Sequence, residues 1–176
     1  MIRVIENYEL VGLGLPYPVM VLNAAEEFVD DVSQATVGIR VPNLEGLVAA
    51  VALVRCLMPL QLSGKEVRFV RRALNLTQRA LADRLEIEAT ETISRWENDN
   101  AGVVGGYIEK LLRSIAVIEL QDKAPGVTSG PQLIPALRIW PRREGVWPKM
   151  VAHLVAAENS ENVGDEPVLY DLDLAA

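Results

Sequence analysis

The sequence predicts an α+β chain, mainly α, and three observations predict it. The first forty residues are β-branched and broken by Gly12, Gly14, Pro16, Pro18 and Gly38. Residues 44–120 carry successive apolar patterns at helical spacing, each opened by a capping residue or a polar connection. Beyond a linker rich in Pro and Gly the apolar stretches are short again. With 176 residues, half of them apolar, the chain is long enough to bury a core. The expected division is a small β/α unit over 1–60, a helical unit over 61–120, and a linker, short β-containing extension and acidic tail over 121–176.

Each element has its own justification. "YELVGL", "YPVMVLNA" and "VGIRVP" read as short strands of a meander. Asn43 after Pro42 is placed to N-cap a helix from Leu44 to about Met58, with Leu47, Val51, Val54 and Met58 on one stripe and Pro59 ending it. Ser63 and Glu66 form an S-x-x-E capping box, after which Val67, Val70, Ala73 and Leu74 recur at helical spacing and Arg68, Arg71 and Arg72 take the other faces. Thr77 is the next N-cap, for a short helix from Gln78 to about Leu85, with Leu76 and Leu81 placed to close a hydrophobic staple.

"ATETISRWE" starts a further helix, with Ala89, Ile93 and Trp96 on one side and Glu91, Ser94, Arg95 and Asn98 on the opposite one. Asn98 and Asp99 close it. After the polar, glycine-rich "NDNAGVVGG", the stretch from Tyr107 to Leu120 is the most apolar helix. Its Tyr107, Ile108, Leu111, Leu112, Ile115 and Ile118 cover more of the circumference than one packing face requires, which fits either a homodimer contact or burial within its own domain. "QDKAPGVTSGPQ" is a linker by composition. "ALRIW" and "MVAHLVAA" read as two strands joined through "PRREGVWP", the second equally as a short helix, and "ENSENVGDEPVLYDLDLAA" reads as a mobile acidic tail.

Composition excludes several functions. Cys56 and His153 are the only residues of their kinds, so a disulfide framework is excluded and a structural zinc site has too few ligands. No Walker loop, GxSxG elbow or HExxH is present, and no catalytic residue is expected. No apolar run reaches the roughly 20 residues of a membrane span, and the N-terminus lacks a signal peptide's pattern, so the expectation is a soluble, cytoplasmic protein. The net charge of −7 is unevenly spread. Residues 63–79 carry Lys65, Arg68, Arg71, Arg72 and Arg79 against Glu66 alone, whereas Lys149 faces Glu144, Glu158, Glu161, Asp165, Glu166, Asp171 and Asp173 at the C-terminal end. Binding responds to such local fields more than to the total.

Leu74, then Leu76, Thr77 and Gln78, then Leu81 and Ala82, then Leu85, and finally Ser94, Arg95, Trp96, Glu97 and Asn98 stand in an order and spacing that resembles the helix-turn-helix of the Xre/Cro repressor group. Glu86 stands where that group usually has Gly, and the turn is one residue longer. A wider stretch, about residues 8–120, includes "YELVGL", "VPNLEGLVAAVALVRC", "LSGKEVRFVRRALNLTQRALADRL" and "SRWEND" and resembles the MqsA (YgiT-type) antitoxin and regulator family. The resemblance implies a five-helix helix-turn-helix domain behind a small N-terminal domain. In that family the N-terminal domain carries two Cys-x-x-Cys pairs that bind zinc; here "NAAEEFVDDVSQATVGIRVP" stands instead. No metal or other cofactor is therefore expected, and toxin binding, which the family assigns to that domain, loses its metal-held scaffold.

The residues take roles on physical grounds. Thr77, Gln78 and Arg79 lie at a helix N-terminus, where free N–H groups and the dipole favour a DNA phosphate. Arg95 suits bidentate readout of guanine, and Glu91, where the MqsA-type motif places a base-contacting Asn, suits a cytosine amino group. Thr90, Thr92, Ser94 and Asn98 are further candidates for phosphate or base contact. Arg95 and Glu91 at i, i+4 also fit a plain surface ion pair, and Trp96 reads as core. The expectation is a sequence-specific regulator binding double-stranded DNA, nucleoid-associated, a homodimer on a palindromic operator that represses its own operon. The alternative is an antitoxin acting by protein contact with a cognate toxin. Trp140 and Trp147 fit either two core tryptophans or the walls of an effector site.

Overall fold

A computed structural model describes residues 1–98, 106–124, 126–127, 133–143, 145–156 and 168–175. Among them the chain is α+β, with a five-stranded sheet and six α-helices. The strands are β1 (Ile2–Leu10), β2 (Val19–Val29), β3 (Thr36–Arg40), β4 (Lys149–Ala156) and β5 (Val168–Ala175). The helices are α1 (Leu44–Leu57), α2 (Gly64–Ala73), α3 (Gln78–Arg84), α4 (Thr90–Asn98), α5 (Gly106–Leu120) and the short α6 (Leu133–Ala136). No helix of the described residues is long and apolar enough to cross a membrane.

A meander forms with other bounds than expected, β1 lying mostly before "YELVGL" and β2 running on past "YPVMVLNA" to Val29, and β2 is its centre. β1 runs antiparallel along one edge of β2, while β3 (antiparallel) and β4 (parallel) divide the other. Tyr8 and Leu10 pair with Val21 and Val19, and all four pack into the core. Further along, two steps on β1 match three on β2, between the pairs Asn7–Leu22 and Ile5–Ala25. Asn23 takes up the extra residue with φ 51°, a left-handed geometry that Asn tolerates better than most residues.

The C-terminal segment departs from expectation. Residues 168–175 are not a mobile tail: β5 pairs antiparallel with β4 along its whole length. The reason is the period-two alternation of acidic and apolar residues in "VLYDLDLA", a pattern suited to a strand. Glu158, Glu161, Asp165 and Glu166, the rest of the expected tail, lie outside the described residues, as does the stretch 99–105 with Asp99. "MVAHLVAA" is a strand, whereas "ALRIW" is not. Pro135 and Pro141 bound that stretch and supply no donor, and only Trp140 makes a bridge, with Leu60.

α1 begins as predicted. The Asn43 side chain accepts from the Gly46 N–H at 3.0 Å, and a Cβ at Gly46 would stand 2.4 Å from the Asn43 side chain, so a larger residue there would displace the cap. The expected single apolar stripe is too narrow: Leu47 and the eight consecutive residues from Ala49 to Cys56 are all buried, with only half-buried Val48 between them. The helix is central, with α5 on one side and β4 and β5 on another. Val19 to Ala152 contribute to one cluster of buried residues, so segments 1–60, 61–120 and 121–176 all share in it.

Two arginines inside this core replace missing hydrogen-bond partners. Arg113 of α5, fully buried, donates to the carbonyls of Cys56, Met58 and Leu60, closing the C-terminus of α1, and to Glu109 at 2.6 Å. Glu109 in turn accepts from the Leu62 N–H at 2.9 Å. Arg55, equally buried, donates to Glu66 at 2.5 and 3.1 Å and to the carbonyls of Leu60 and Gln61. Each interior charge is thus both paired and hydrogen-bonded, the condition under which buried ions are tolerated.

Candidate nucleic-acid interface

α2, α3 and α4 pack together and hold most of the candidate contact residues. Their boundaries follow from local chemistry. The capping box of α2 is complete: Ser63 Oγ accepts from the Glu66 N–H, and Glu66 accepts from the Ser63 N–H at 2.7 Å. Thr77 Oγ1 caps α3 by accepting from Ala80 N–H at 3.1 Å. Both α2 and α3 end in the same way. Asn75 (φ 57°) and Glu86 (φ 56°) turn left-handed, and the N–H groups of Leu76 and Ile87 reach back to the carbonyls of Arg71 and Ala82. Glu86, where the resemblance leads one to expect Gly, therefore occupies a conformation that favours Gly.

α4 has two unlike faces. Ile93 (0 % exposed) and Trp96 (8 %) are buried as predicted, while Ala89 is exposed because the helix starts only at Thr90. Glu97, for which the sequence suggested no role, is also buried, at 3 %. It accepts from Arg71 Nε at 2.5 Å, Arg71 Nη2 at 2.9 Å and Gln78 Nε2 at 2.9 Å, with Arg68 at 3.6 Å. One carboxylate on α4 thus ties down α2 and α3. Burial works to raise its pKa, but the bonds from Arg71 and Gln78 and the arginine charges outweigh burial and hold it below the ordinary range. Its position was legible: Ile93, Trp96 and Glu97 stand at i, i+3, i+4, and an acid on that stripe needs a buried cation.

Arg71 consequently leaves the outer surface where the sequence reading placed it. Its side chain is 11 % exposed, and it also donates to the Leu76 carbonyl at 2.7 Å. Gln78 is half-buried, with its amide directed to Glu97. Arg79 is exposed and pairs with Asp83 at 3.0 Å. On the outward side of α4, Glu91, Arg95 and Asn98 are exposed, and Thr90, Thr92 and Ser94 are half-buried. Asn98 donates back to the Ser94 carbonyl at 2.9 Å. Glu91 and Arg95 make no ion pair with each other or with another described residue.

The candidate dimer residues on α5 divide. Leu112 is fully enclosed in the chain's own core and is corrected from a surface to an interior residue. Ile108, Leu111 and Ile115 are half-buried against that core, and Tyr107 (79 %) and Ile118 (62 %) are exposed. Among the described residues no group of three His, Cys, Asp or Glu side chains is placed to hold a metal ion. No protein-family model matches the sequence, and comparison with curated proteins and with solved structures finds no significant similarity.

Proposed function

We propose that this chain is a sequence-specific DNA-binding regulator, acting as a homodimer on a palindromic operator, with α4 in the major groove. The observation that carries the reading is the division of α4. Its inward face is fixed by Ile93, Trp96 and the Glu97–Arg71–Gln78 bonds, while Arg95 and Glu91 project from the opposite face without a described ion-pair partner. A guanidinium held on a packed helix and not committed to a neighbour among the described residues is suited to bidentate contact with guanine. The N-terminus of α3 supports the same reading as a place for a backbone phosphate through its backbone N–H groups, since Thr77 Oγ1 takes only the Ala80 N–H and the Gln78 side chain is turned to Glu97.

The test is a mobility-shift titration on the chain's own promoter at fixed salt. Arg95→Ala is expected to weaken operator binding by about 1–3 kcal/mol and relax preference at one base pair per half-site. Unchanged operator affinity in that variant refutes the assignment of Arg95.

A further inference from the structure

We propose that a cavity on the solvent side of the sheet binds an aromatic anion, and that Tyr17 links its occupancy to the start of α2. The regulatory half of this inference rests on the DNA-binding reading above; ligand binding does not. The cavity measures about 490 Å³, within the range of small-molecule sites. Its floor is Glu9, Met20 and Val151, side by side across β1, β2 and β4. These alternate with Tyr8, Val21 and Ala152, which pack on the helices. A cavity of roughly 150 Å³ accepts a benzene, so this one has room for a compound of two or three rings.

The walls specify the chemistry. Tyr17 and Trp147 stand with ring centroids 5.6 Å apart at 41°, a tilted pair against which a planar ligand packs. The lining cation is Lys149, and behind the Trp147 wall the Arg142 guanidinium lies 4.4 Å from the centre of that ring. Among the residues that line the cavity the acid is Glu9, two strands from Lys149 and roughly 10 Å away at ordinary strand spacing. An anionic group therefore sits best at the Lys149 end, with the apolar rings across Met20. Of the two tryptophans that the sequence offers as walls, Trp147 lines this cavity and Trp140 does not.

Tyr17 gives the cavity a route into the helices. Its hydroxyl donates to Glu66 at 2.8 Å, and Glu66 is the carboxylate that closes the α2 capping box and pairs with Arg55. A ligand that displaces the Tyr17 ring acts directly on the first turn of α2.

The test uses the full chain with 1-anilinonaphthalene-8-sulfonate, an aromatic anion, and neutral N-phenyl-1-naphthylamine, each followed by dye fluorescence. Saturable binding of one anionic dye per chain is expected. Met20→Trp and Val151→Trp fill the cavity from its floor and should each lower affinity about tenfold, whereas Lys149→Gln should weaken the anionic dye about fivefold and spare the neutral one. Tyr17→Phe keeps the ring and should keep dye affinity, yet lose a dye-induced change in amide exchange over residues 64–67 that the unaltered chain shows. Unaltered dye affinity in both tryptophan variants overturns the site. Equal loss of both dyes in Lys149→Gln overturns the anionic ligand, and unchanged exchange in the unaltered chain overturns the link. Dye binding with the exchange change but without operator binding supports the site and refutes the DNA-binding reading alone.

Discussion

Replacing Glu97 with Gln isolates the contact that orients α4. The carboxylate receives two bonds from Arg71 and one from Gln78, and it is 3 % exposed. Removing one member of a fully buried ion pair costs about 3–5 kcal/mol, because the other charge is stranded. Here the Arg71 and Arg68 side chains are 11 % and 45 % exposed, so water relieves part of that cost. Glutamine also keeps one acceptor in place. The expected loss is therefore about 2–3 kcal/mol, read as a lower denaturant midpoint at unchanged slope. A double-mutant cycle with Arg71→Met sharpens the test, since Glu97→Gln should cost much less once its main donor is gone. A loss below about 0.5 kcal/mol, or strict additivity in the cycle, would refute the reasoning.

Acid adds a second check on the same residue. The folded chain holds Glu97 below the ordinary value of 4.5, so as pH falls past that value the unfolded chain takes up the proton first. The contribution of Glu97 is thus present above pH 4.5 and is lost as pH falls through its folded pKa. Glu66 behaves alike: burial works to raise its pKa, and Arg55 and the Ser63 donors outweigh it. Stability of the Glu97→Gln variant should therefore fall less steeply below pH 4.5 than that of the unaltered chain. Parallel curves would mean that Glu97 titrates alike folded and unfolded.

Three further outcomes follow from other parts of the molecule. Glu86→Gly should stabilise the chain by about 0.5–1 kcal/mol, the relief of a left-handed residue less the chain entropy of Gly, measured by denaturant midpoint; destabilisation would mean that the Glu86 side chain contributes more than its backbone costs. Burial pushes the Cys56 thiol from 9.0 up to about 11, so its contribution is complete below pH 9.0 and is lost as pH rises through 11. Cys56→Ala should show a shallower alkaline decline in stability, and identical declines would refute this. Ile118→Glu should dissociate the proposed dimer in sedimentation while leaving stability within about 0.5 kcal/mol, whereas Leu112→Ala should cost about 2–5 kcal/mol; an unchanged mass for Ile118→Glu excludes that face as the contact.

What the sequence disclosed was local. Asn43, Ser63 with Glu66, and Thr77 were legible as caps because each acts on an N–H three residues away. The outward Arg95 and Glu91 were legible for the same reason, one helical period being enough to place them. What it concealed depends on distant partners. Val21 and Ala152 pair across the sheet, and nothing in either segment names the other. β5 was hidden by composition, its acidic count outweighing the alternation that makes it a strand. Arg55, Glu66, Glu109 and Arg113 are interior although charged, and only the fold supplies the carbonyls and opposite charges that make burial tolerable.

Those same concealed contacts change the electrostatic argument for DNA. Residues 63–79 hold five cations, but Arg71 is spent on Glu97, Arg68 leans toward the same carboxylate, and Arg79 pairs with Asp83. Lys65 and Arg72 remain from that block, with Arg95 added by α4, as exposed cations with no acidic partner among the described residues. Counterion release scales with the phosphates neutralised, so a surface of this kind draws little nonspecific affinity from charge. Under the proposed function, discrimination then rests on how rigidly α4 is held, and the buried Glu97 matters to recognition although it faces away from the groove. Glu91, one turn from Arg95, reinforces that logic. A carboxylate repels phosphate, and its presence beside Arg95 favours only those base pairs that offer it a donor.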